Sequence, residues 1–140
     1  MIINLIQKEH LDMFWNDVAP LLEKGLLCCE GELDISQLRL LAVQGSIKIA
    51  VGLDDSDKII GAIALEVVAH PNYRCANVVS YGGEDLFATE KDFAVIKGYL
   101  KTIGISFIQG WCRPAQARLF KSRYGFSTPY EMIRLSLKEE

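Results

Sequence analysis

The spacing of apolar residues along the chain alternates between a helical period and a strand period, which divides the sequence into elements. Helical spacing runs over residues 8–24, where Pro20 must kink or split the helix because its ring removes a backbone hydrogen bond. Asp34 and Gln37 have the separation of a capping box and predict a second helix that ends at Gly45.

Two further helices are predicted in the second half of the chain. Thr89 and Asp92 form another capping-box pair, and the helix that they open ends at Gly104. Pro114 opens a last helix at a position where a missing N–H costs nothing, and that helix stops at Gly125.

Strand-like apolar runs separate the predicted helices. The acidic link of residues 54–57 predicts an antiparallel hairpin, and the nearly continuous apolar run 58–69 predicts a central strand that is covered on both faces. Runs 75–81 and 105–112 flank a helix, so they should be parallel neighbours. The predicted strands are residues 2–6, 47–53, 58–69, 75–81, 105–112 and 130–137.

The resulting order is β-α-α-β-β-β-α-β-α-β, which predicts an α/β domain. Its centre is one mixed β-sheet with helices on both faces, and a chain of 140 residues fits one such domain, residues 1–140. Ligands of α/β units bind beyond the carboxyl ends of the strands, so we expect an active cleft beyond the ends of strands 75–81 and 105–112, near Tyr81 and Cys112.

Composition and charge exclude several classes of protein. The net charge is −3 and Lys and Arg do not cluster, so a nucleic-acid partner is not expected. Neither a signal peptide nor a run of about 20 apolar residues is present, so we expect a cytoplasmic protein with no membrane segment. The four cysteines lack C-x-x-C spacing and predict no metal site. They are interpreted as buried thiols, with a nucleophilic Cys112 as the alternative.

Residues 117–126, ARLFKSRYGF, resemble a motif of the GNAT superfamily of acetyl-CoA-dependent N-acyltransferases, A-x-x-L-[YF]-x-x-x-G-F. Ala117, Phe120, Gly125 and Phe126 fall on its small, apolar, glycine and aromatic positions, although C-capping alone also produces a helix that ends in Gly-Phe. The element order resembles that superfamily over nearly the whole chain. The resemblance implies a GNAT-like acyl-CoA N-acyltransferase fold and acetyl-CoA as the acyl donor.

The resemblance also implies where acetyl-CoA binds. In the superfamily the fourth strand and the loop after it present backbone groups to the donor, with the pyrophosphate at a helix N-terminus. The loop here has two glycines, no Arg or Gln in the expected place, and the carboxylates of Glu84 and Asp85, so the pyrophosphate motif is degenerate. The implied cofactor-binding residues are Val79, Ser80, Tyr81, Gly82 and Gly83.

Candidate catalytic residues follow from what amine acetylation requires, which is a base that takes a proton from the ammonium form of the substrate. Glu66 is a carboxylate in an otherwise apolar strand, and His70 ends the same strand; the alternatives are a structurally paired acid and an exposed loop residue. The tyrosine that serves as acid in many GNAT enzymes corresponds to Lys121 here, and Tyr124 lies elsewhere on the helix.

Trp111 and Arg113 follow the second strand of the cleft and are candidates for the substrate pocket, with core packing and strand capping as alternatives. Two functions remain open. One is transfer of an acetyl group to the amine of a small molecule or protein. The other is a catalytically inactive GNAT-like protein that acts through protein contacts, as some phage accessory or virion proteins do. The apolar run 130–137 favours edge-to-edge pairing, so a homodimer is a further hypothesis.

Overall fold

The computed structural model describes residues 2–27, 29–83 and 90–139. Five strands are present in this part of the chain: β1 (Ile2–Ile6), β2 (Ile47–Leu53), β3 (Ile59–Ala69), β4 (Arg74–Gly83) and β5 (Phe107–Gln109). The helices are α1 (Leu11–Leu26), which follows a 3-10 turn at Lys8–His10, α2 (Ile35–Val43), α3 (Glu90–Thr102) and α4 (Pro114–Tyr124).

The strands form one mixed sheet in the order β1-β2-β3-β4-β5. The pairs from β1 to β4 are antiparallel, and β4 pairs with β5 in parallel. The apolar strand β3 is central, as its continuous hydrophobic run predicts. The mixed sheet, the β2–β3 hairpin and the parallel β4–β5 pair confirm the predicted architecture.

Alternating side chains of the sheet divide the core into two layers. The α1/α2 core contains Leu22, Leu38 and Ala62 among its buried members, and the α3 core on the opposite face contains Ile63 and Leu100. Helices α1, α2 and α3 each bury one apolar stripe against one face of the sheet, whereas α4 has no fully buried residue. Helices therefore cover both faces, in agreement with the sequence.

Helix α1 approaches β4 so closely that only glycine fits at the contact. A Cβ atom at Gly25 would overlap the hydroxyl of Ser80 and lie 2.6 Å from the carbonyl oxygen of Tyr81. Of the two predicted effects of Pro20, splitting of the helix is wrong, since α1 continues past Pro20 to Leu26, and a kink at Pro20 stays a prediction. Gly25 lies within the helix, where it allows this close packing.

The predicted helix ends are confirmed in two places. Asp34 and Gln37 make the reciprocal capping-box hydrogen bonds, at 2.8 and 2.9 Å. Pro114 is the first residue of α4, and Gly125 ends that helix with a φ of 74°. Thr89 lies outside the described residues, so the capping box predicted there stays a prediction.

The final predicted strand is wrong. Residues 130–137 have no regular secondary structure, and the apolar side chains of Tyr130, Ile133, Leu135 and Leu137 are 83 to 89% exposed. Their alternating pattern suits a strand, but a strand also needs a neighbouring edge to accept its backbone hydrogen bonds. No such edge contacts this segment in the described part of the chain.

Candidate active site

The parallel strands β4 and β5 stay together for only three residue pairs. Pairing ends at Asn77 and Gln109, while β4 continues to Gly83 with no strand beside it on that side among the described residues. We call the space between residues 78–83 and residues 110–113 the notch. It was predicted from the sequence, although the strands part nearer the start of β4 than Tyr81 and Cys112.

A β-bulge lies at the point where the notch opens. Ala64 of β3 pairs with Ser80 and Leu65 pairs with Val78, so Val79 is an extra residue without a direct partner. Bulges bend a strand and are frequent next to active sites. The bulge therefore accompanies the departure of β4 from β5.

The side chains of the implied cofactor-binding residues point into the protein rather than into open space. Val79 packs against the α1/α2 core, and the buried Ser80 hydroxyl donates a 2.6 Å hydrogen bond to the carbonyl of Leu22. The Tyr81 ring lies edge-on to Phe120 of α4, with 5.8 Å between ring centroids. These contacts hold strand β4 in place. Because the side chains are engaged in packing, the backbone groups of the strand are the ones that can bind a ligand.

The two glycines predicted to follow the strand are in fact its last residues. Gly82 and Gly83 pair with Ala62 and Gly61 of β3. A Cβ atom at Gly82 would overlap the carbonyl of Leu21, and one at Gly83, where φ is 117°, would overlap β3. Neighbouring backbone on two sides therefore requires glycine here. The loop with Glu84 and Asp85, where the degenerate pyrophosphate motif was predicted, lies outside the described residues.

Three polar side chains form a row at the base of the notch. Glu66 is the register partner of Asn77, which in turn pairs with Gln109. The Gln109 amide Nε2 donates to Asn77 Oδ1 at 2.9 Å. The alternation of each strand puts all three on the α1/α2 side of the sheet, and each is half-buried.

The structure does not bring the two predicted bases together. His70 lies in the β3–β4 turn, exposed, with its ring 5.3 Å from that of Tyr73. It follows Glu66 by four residues, which is about 13 Å of strand, in the direction away from the notch. Only Glu66 is next to the residues where the strands part.

Trp111 and Arg113 lie beyond the end of β5, on the other side of the notch. Trp111 is 65% exposed, so it is not a core residue. Arg113 Nη1 is 3.2 Å from Glu30 Oε1 on the α1–α2 loop, and both side chains are more than half exposed. This ion pair joins the α1–α2 loop to the turn that follows β5, so the two segments border the same opening.

Lys121 occupies the helix position that corresponds to the acid of many GNAT enzymes, and its charge acts on Cys112. Partial burial of the thiol raises the pKa of Cys112, and the Lys121 ammonium partly offsets this rise. A raised thiol pKa disfavours the thiolate, which is the nucleophilic form, so it gives no support to the alternative of a nucleophilic Cys112. Tyr124 packs against Phe93, with 5.1 Å between ring centroids.

The described residues contain no group of three or more His, Cys, Asp or Glu side chains placed to hold a metal ion. Within the same residues, every helix is too short or too polar to span a membrane.

Solved structures resemble this chain over almost its entire length. A probable acetyltransferase superposes with a TM-score of 0.69 at 15% identity, with 100% of each chain covered. The ribosomal-protein-alanine N-acetyltransferase of Brucella melitensis biovar Abortus 2308 gives a TM-score of 0.68 at 13% identity, with 98% of this chain and 100% of that chain covered. The fold is the GNAT acetyltransferase fold.

A third similar structure is that of an acetyltransferase with a bound ligand. It is an aminoglycoside acetyltransferase from an uncultured soil metagenomic sample, in complex with sisomicin, with a TM-score of 0.67, 14% identity, and 98% of this chain and 96% of that chain covered. No family model and no curated protein matches the sequence. At these identities the likeness establishes the GNAT fold alone.

Sequence reasoning missed four residues of this site: Asn77, Gln109, Gly110 and Glu30. Asn77 and Gln109 are polar residues inside apolar strands, which is the same signal that marks Glu66. A Cβ atom at Gly110 would lie 3.3 Å from the Val78 carbonyl oxygen, so this glycine allows the closest approach at the base of the notch. The Glu30 contact spans 83 residues, and no local pattern predicts it.

Proposed function

We propose that this protein is an N-acetyltransferase that moves an acetyl group from acetyl-CoA to a primary amine. The observation that carries the proposal is the notch, in which β4 continues through residues 78–83 past its last pair with β5, with no strand beside it in the described part of the chain. The acyl arm of the donor lies along this backbone, whose amide and carbonyl groups provide its hydrogen bonds. The resemblance to GNAT acetyltransferases supports acetyl-CoA as the donor.

The reaction requires one bond to form and one to break. The uncharged amine nitrogen attacks the thioester carbonyl and a C–N bond forms. The C–S bond then breaks, and the sulfur leaves as a thiolate with the electron pair of that bond. The attacking nitrogen loses one proton and the thiolate takes up one, so the products are the amide and the free thiol. The chain itself supplies orientation of the two substrates, which is a large part of rate acceleration. A backbone N–H of residues 79–81 stabilises the oxyanion that develops on the carbonyl oxygen.

Glu66 is the proposed general base. It lies on the α1/α2 side of the sheet beside Asn77, where the strands part, and it takes the proton that the ammonium substrate must lose before attack. The Gln109–Asn77 hydrogen bond fixes the neighbouring side chain. We place the amine substrate on this side of the sheet, between the α1–α2 loop and the segment with Trp111 and Arg113.

Binding of the donor is the first test. We expect acetyl-CoA to raise the melting temperature in a saturable manner, since a ligand at a hundred times its Kd adds about 2.7 kcal/mol to the free energy of unfolding. Gly110→Val adds bulk where the notch is narrowest and should abolish that shift. Gly98→Ala, on the exposed side of α3 with no atom within 4 Å of the added Cβ, is the matched control and should retain it.

The base is tested by a pair of substitutions. Glu66→Gln should lower kcat by about 10² to 10⁴, the usual contribution of a general base, without changing the melting shift caused by acetyl-CoA. His70→Gln, in the exposed β3–β4 turn away from the notch, should leave kcat within about twofold of the wild type, since a surface substitution rarely changes more. The opposite result, loss of activity in His70→Gln alone, would assign the base to His70.

The non-catalytic alternative predicts a different result in the first experiment. No melting shift at millimolar acetyl-CoA would remove the acetyltransferase proposal and leave a GNAT-fold protein that acts through contacts with other proteins. Saturable binding lost in Gly110→Val would argue against that alternative.

A further inference from the structure

Glu66, Asn77 and Gln109 lie side by side on three neighbouring strands, and we call them the polar row. Glu66 is opposite Asn77 in the antiparallel pair, and Asn77 is opposite Gln109 in the last parallel pair before the notch. All three side chains are half-buried in otherwise apolar strands. Polar groups in such positions cost free energy unless hydrogen bonds compensate them, so the unused groups of the row indicate what binds there.

One hydrogen bond fixes the orientation of the central amide. Gln109 Nε2 donates to Asn77 Oδ1 at 2.9 Å, so that oxygen is turned towards β5. The two N–H groups of Asn77 are on the opposite side of the same planar amide and are turned towards β3, where Glu66 lies. Gln109 is thus a positioning residue, and Asn77 presents a donor next to a carboxylate.

These two facing groups have no partner in the protein. Neither the Glu66 carboxylate nor Asn77 Nδ2 makes a hydrogen bond or an ion pair within the part of the chain that the structure describes. Every buried side-chain nitrogen or oxygen atom in that part has a partner, so both of these groups are reachable from solvent. An open carboxylate next to an open N–H donor suits a ligand that carries a cationic donor next to an acceptor.

The surroundings give this site a direction and a charge. On the β2 side the register partner of Glu66 is Ile47, which is 3% exposed in the α1/α2 core, so a ligand enters from the β5 side. Glu30 and Glu32 of the α1–α2 loop each pair with an arginine. Glu66 therefore has the unpaired charge, and a ligand with one positive charge and a neutral acceptor complements the site.

We propose that Glu66 and Asn77 select substrates in which the reactive amine nitrogen and a neutral oxygen belong to one N–C–C–O unit, an inference that rests on the proposed acetyltransferase function. Residues directly opposite in an antiparallel pair have Cβ atoms about 5 Å apart, so the groups that they bind must be close neighbours in the substrate. The ammonium donates to Glu66, and the oxygen accepts from Asn77 Nδ2. Vicinal amino alcohols and α-amino amides contain this unit, whereas alkylamines lack the oxygen.

The first experiment compares matched amines. Ethanolamine and propylamine differ by a hydroxyl in place of a methyl group, and alaninamide is compared with its isostere that has an isopropyl group in place of the amide. A site built to hydrogen-bond a substrate oxygen rejects the analogue without it, because its own polar group is left unpaired. We expect kcat/KM to favour the oxygen-containing amine by at least about tenfold, the factor for one hydrogen bond.

Charge is tested with alanine, which has a carboxylate where alaninamide has a neutral amide. A carboxylate next to Glu66 is repelled, because like charges at this separation interact unfavourably. We therefore expect kcat/KM for alanine to be at least about tenfold below that for alaninamide, which corresponds to about the repulsion of two charges near a protein surface. Equal rates for the two compounds would contradict the choice of a neutral oxygen.

Substitutions in the row identify the donor. Asn77→Leu keeps the shape of asparagine without its hydrogen-bonding groups, so the ratio of kcat/KM within each matched pair should fall to near one. Gln109→Leu keeps Asn77 but releases its orientation, so its ratio should lie between those of Asn77→Leu and the wild type. Asn72→Leu, at an exposed asparagine in the β3–β4 turn, is the matched control and should keep the wild-type ratio. A general loss of structure lowers both rates together and does not change their ratio.

A binding measurement separates this inference from the proposed function. In NMR spectra of the free, isotope-labelled protein, the side-chain NH2 signals of Asn77 are assigned by their loss in Asn77→Leu. They should shift saturably with ethanolamine or alaninamide and not with propylamine. A response to only one of the two oxygen-containing amines identifies the amino alcohols or the α-amino amides as the class that binds.

The two failures give different results. Acetyl transfer without preference within the matched pairs, or Asn77 signals that respond to no amine or equally to both members of a pair, would overturn the inference and leave the acetyltransferase. Selective shifts of the Asn77 signals without any acetyl transfer would support the binding site and overturn the proposed function. A preference that persists unchanged in Asn77→Leu would exclude Asn77 as the donor.

Discussion

At the scale of single residues, Gly82 lies, like Gly25, at a close contact between helix α1 and strand β4. A Cβ atom there would overlap the Leu21 carbonyl, which belongs to helix backbone and cannot rotate away. We expect Gly82→Ala to lower the free energy of unfolding by about 2 kcal/mol or more, as overpacking does in a close-packed interior. Chemical denaturation followed by far-UV circular dichroism measures the change.

Gly98→Ala serves as the control for this substitution. Gly98 is exposed within α3, and an added Cβ meets no atom within 4 Å. Alanine is the better helix former, so this variant should be more stable by up to about 1 kcal/mol. If Gly82→Ala were also neutral or stabilising, the close approach of α1 to β4 would be incorrect.

At the end of the notch, the pKa of the Cys112 thiol depends on the positive charge of Lys121. Burial raises the pKa of the Cys112 thiol and Lys121 lowers it, so Lys121→Gln should raise that pKa further and reduce the thiolate fraction near pH 8. Alkylation of Cys112 by iodoacetamide should slow by up to about fivefold, the factor for about 1 kcal/mol between surface charges. The rate is measured on the Cys112 peptide by mass spectrometry.

The conservative variant separates charge from shape in that experiment. Lys121→Arg keeps the positive charge, and its alkylation rate should stay close to that of the wild type. The fully buried Cys75, whose thiol pKa is also raised by burial, should remain unmodified in the folded protein. Equal slowing in both Lys121 variants would show that contact, not charge, governs the thiol.

At the scale of elements, the start of α2 depends on one reciprocal pair. The Asp34 carboxylate accepts from the N–H of Gln37, and the Gln37 side chain accepts from the N–H of Asp34. Asp34→Ala should cost about 1 kcal/mol in the free energy of unfolding, because an alanine leaves helix donors unsatisfied. Asp34→Asn keeps the accepting oxygen and should cost only a fraction of that, as measured by urea denaturation.

Elements whose signals are local were predictable from the sequence, and elements that depend on a distant partner were not. The capping box at Asp34 and the glycine after α4 involve neighbours in sequence, so their residues alone predict them. The strand character of residues 130–137 is equally visible, but pairing requires an edge that the sequence does not locate. Likewise, glycines 82 and 83 suggest a turn, whereas contacts with α1 and β3 are what require them.

The residues of the candidate site divide in the same way, into those that a local sequence pattern predicts and those that only the fold brings together. The parallel pairing of the two strands was predictable because a helix lies between them, whereas the notch between their ends was implied by the resemblance to the GNAT superfamily. Glu66 was visible as a charge in an apolar run. The Asn77–Gln109 hydrogen bond and the Glu30–Arg113 ion pair join residues 32 and 83 positions apart, so only the fold brings them to the notch.

At the scale of the whole molecule, the two hydrophobic cores lie on opposite faces of one β-sheet. In the described part of the chain this sheet is the layer that both cores share. Leu100 is buried in the α3 core and Trp15 in the α1/α2 core, on opposite faces of the sheet. Strands β2 and β3 contribute alternate residues to both cores, so neither core persists if the other is lost. The protein should therefore unfold in a single two-state transition.

Leu100→Ala tests this coupling. It removes buried methyl groups from the α3 core and should cost between about 2 and 5 kcal/mol. In a Trp111→Phe background the fluorescence of Trp15 reports only the other core, and its denaturation midpoint should shift as much as the midpoint from circular dichroism. If the denaturation midpoint from Trp15 fluorescence did not change in Leu100→Ala, this result would contradict the coupling of the two cores. The notch is built on strand β4, which runs between the two cores, so its shape depends on both of them.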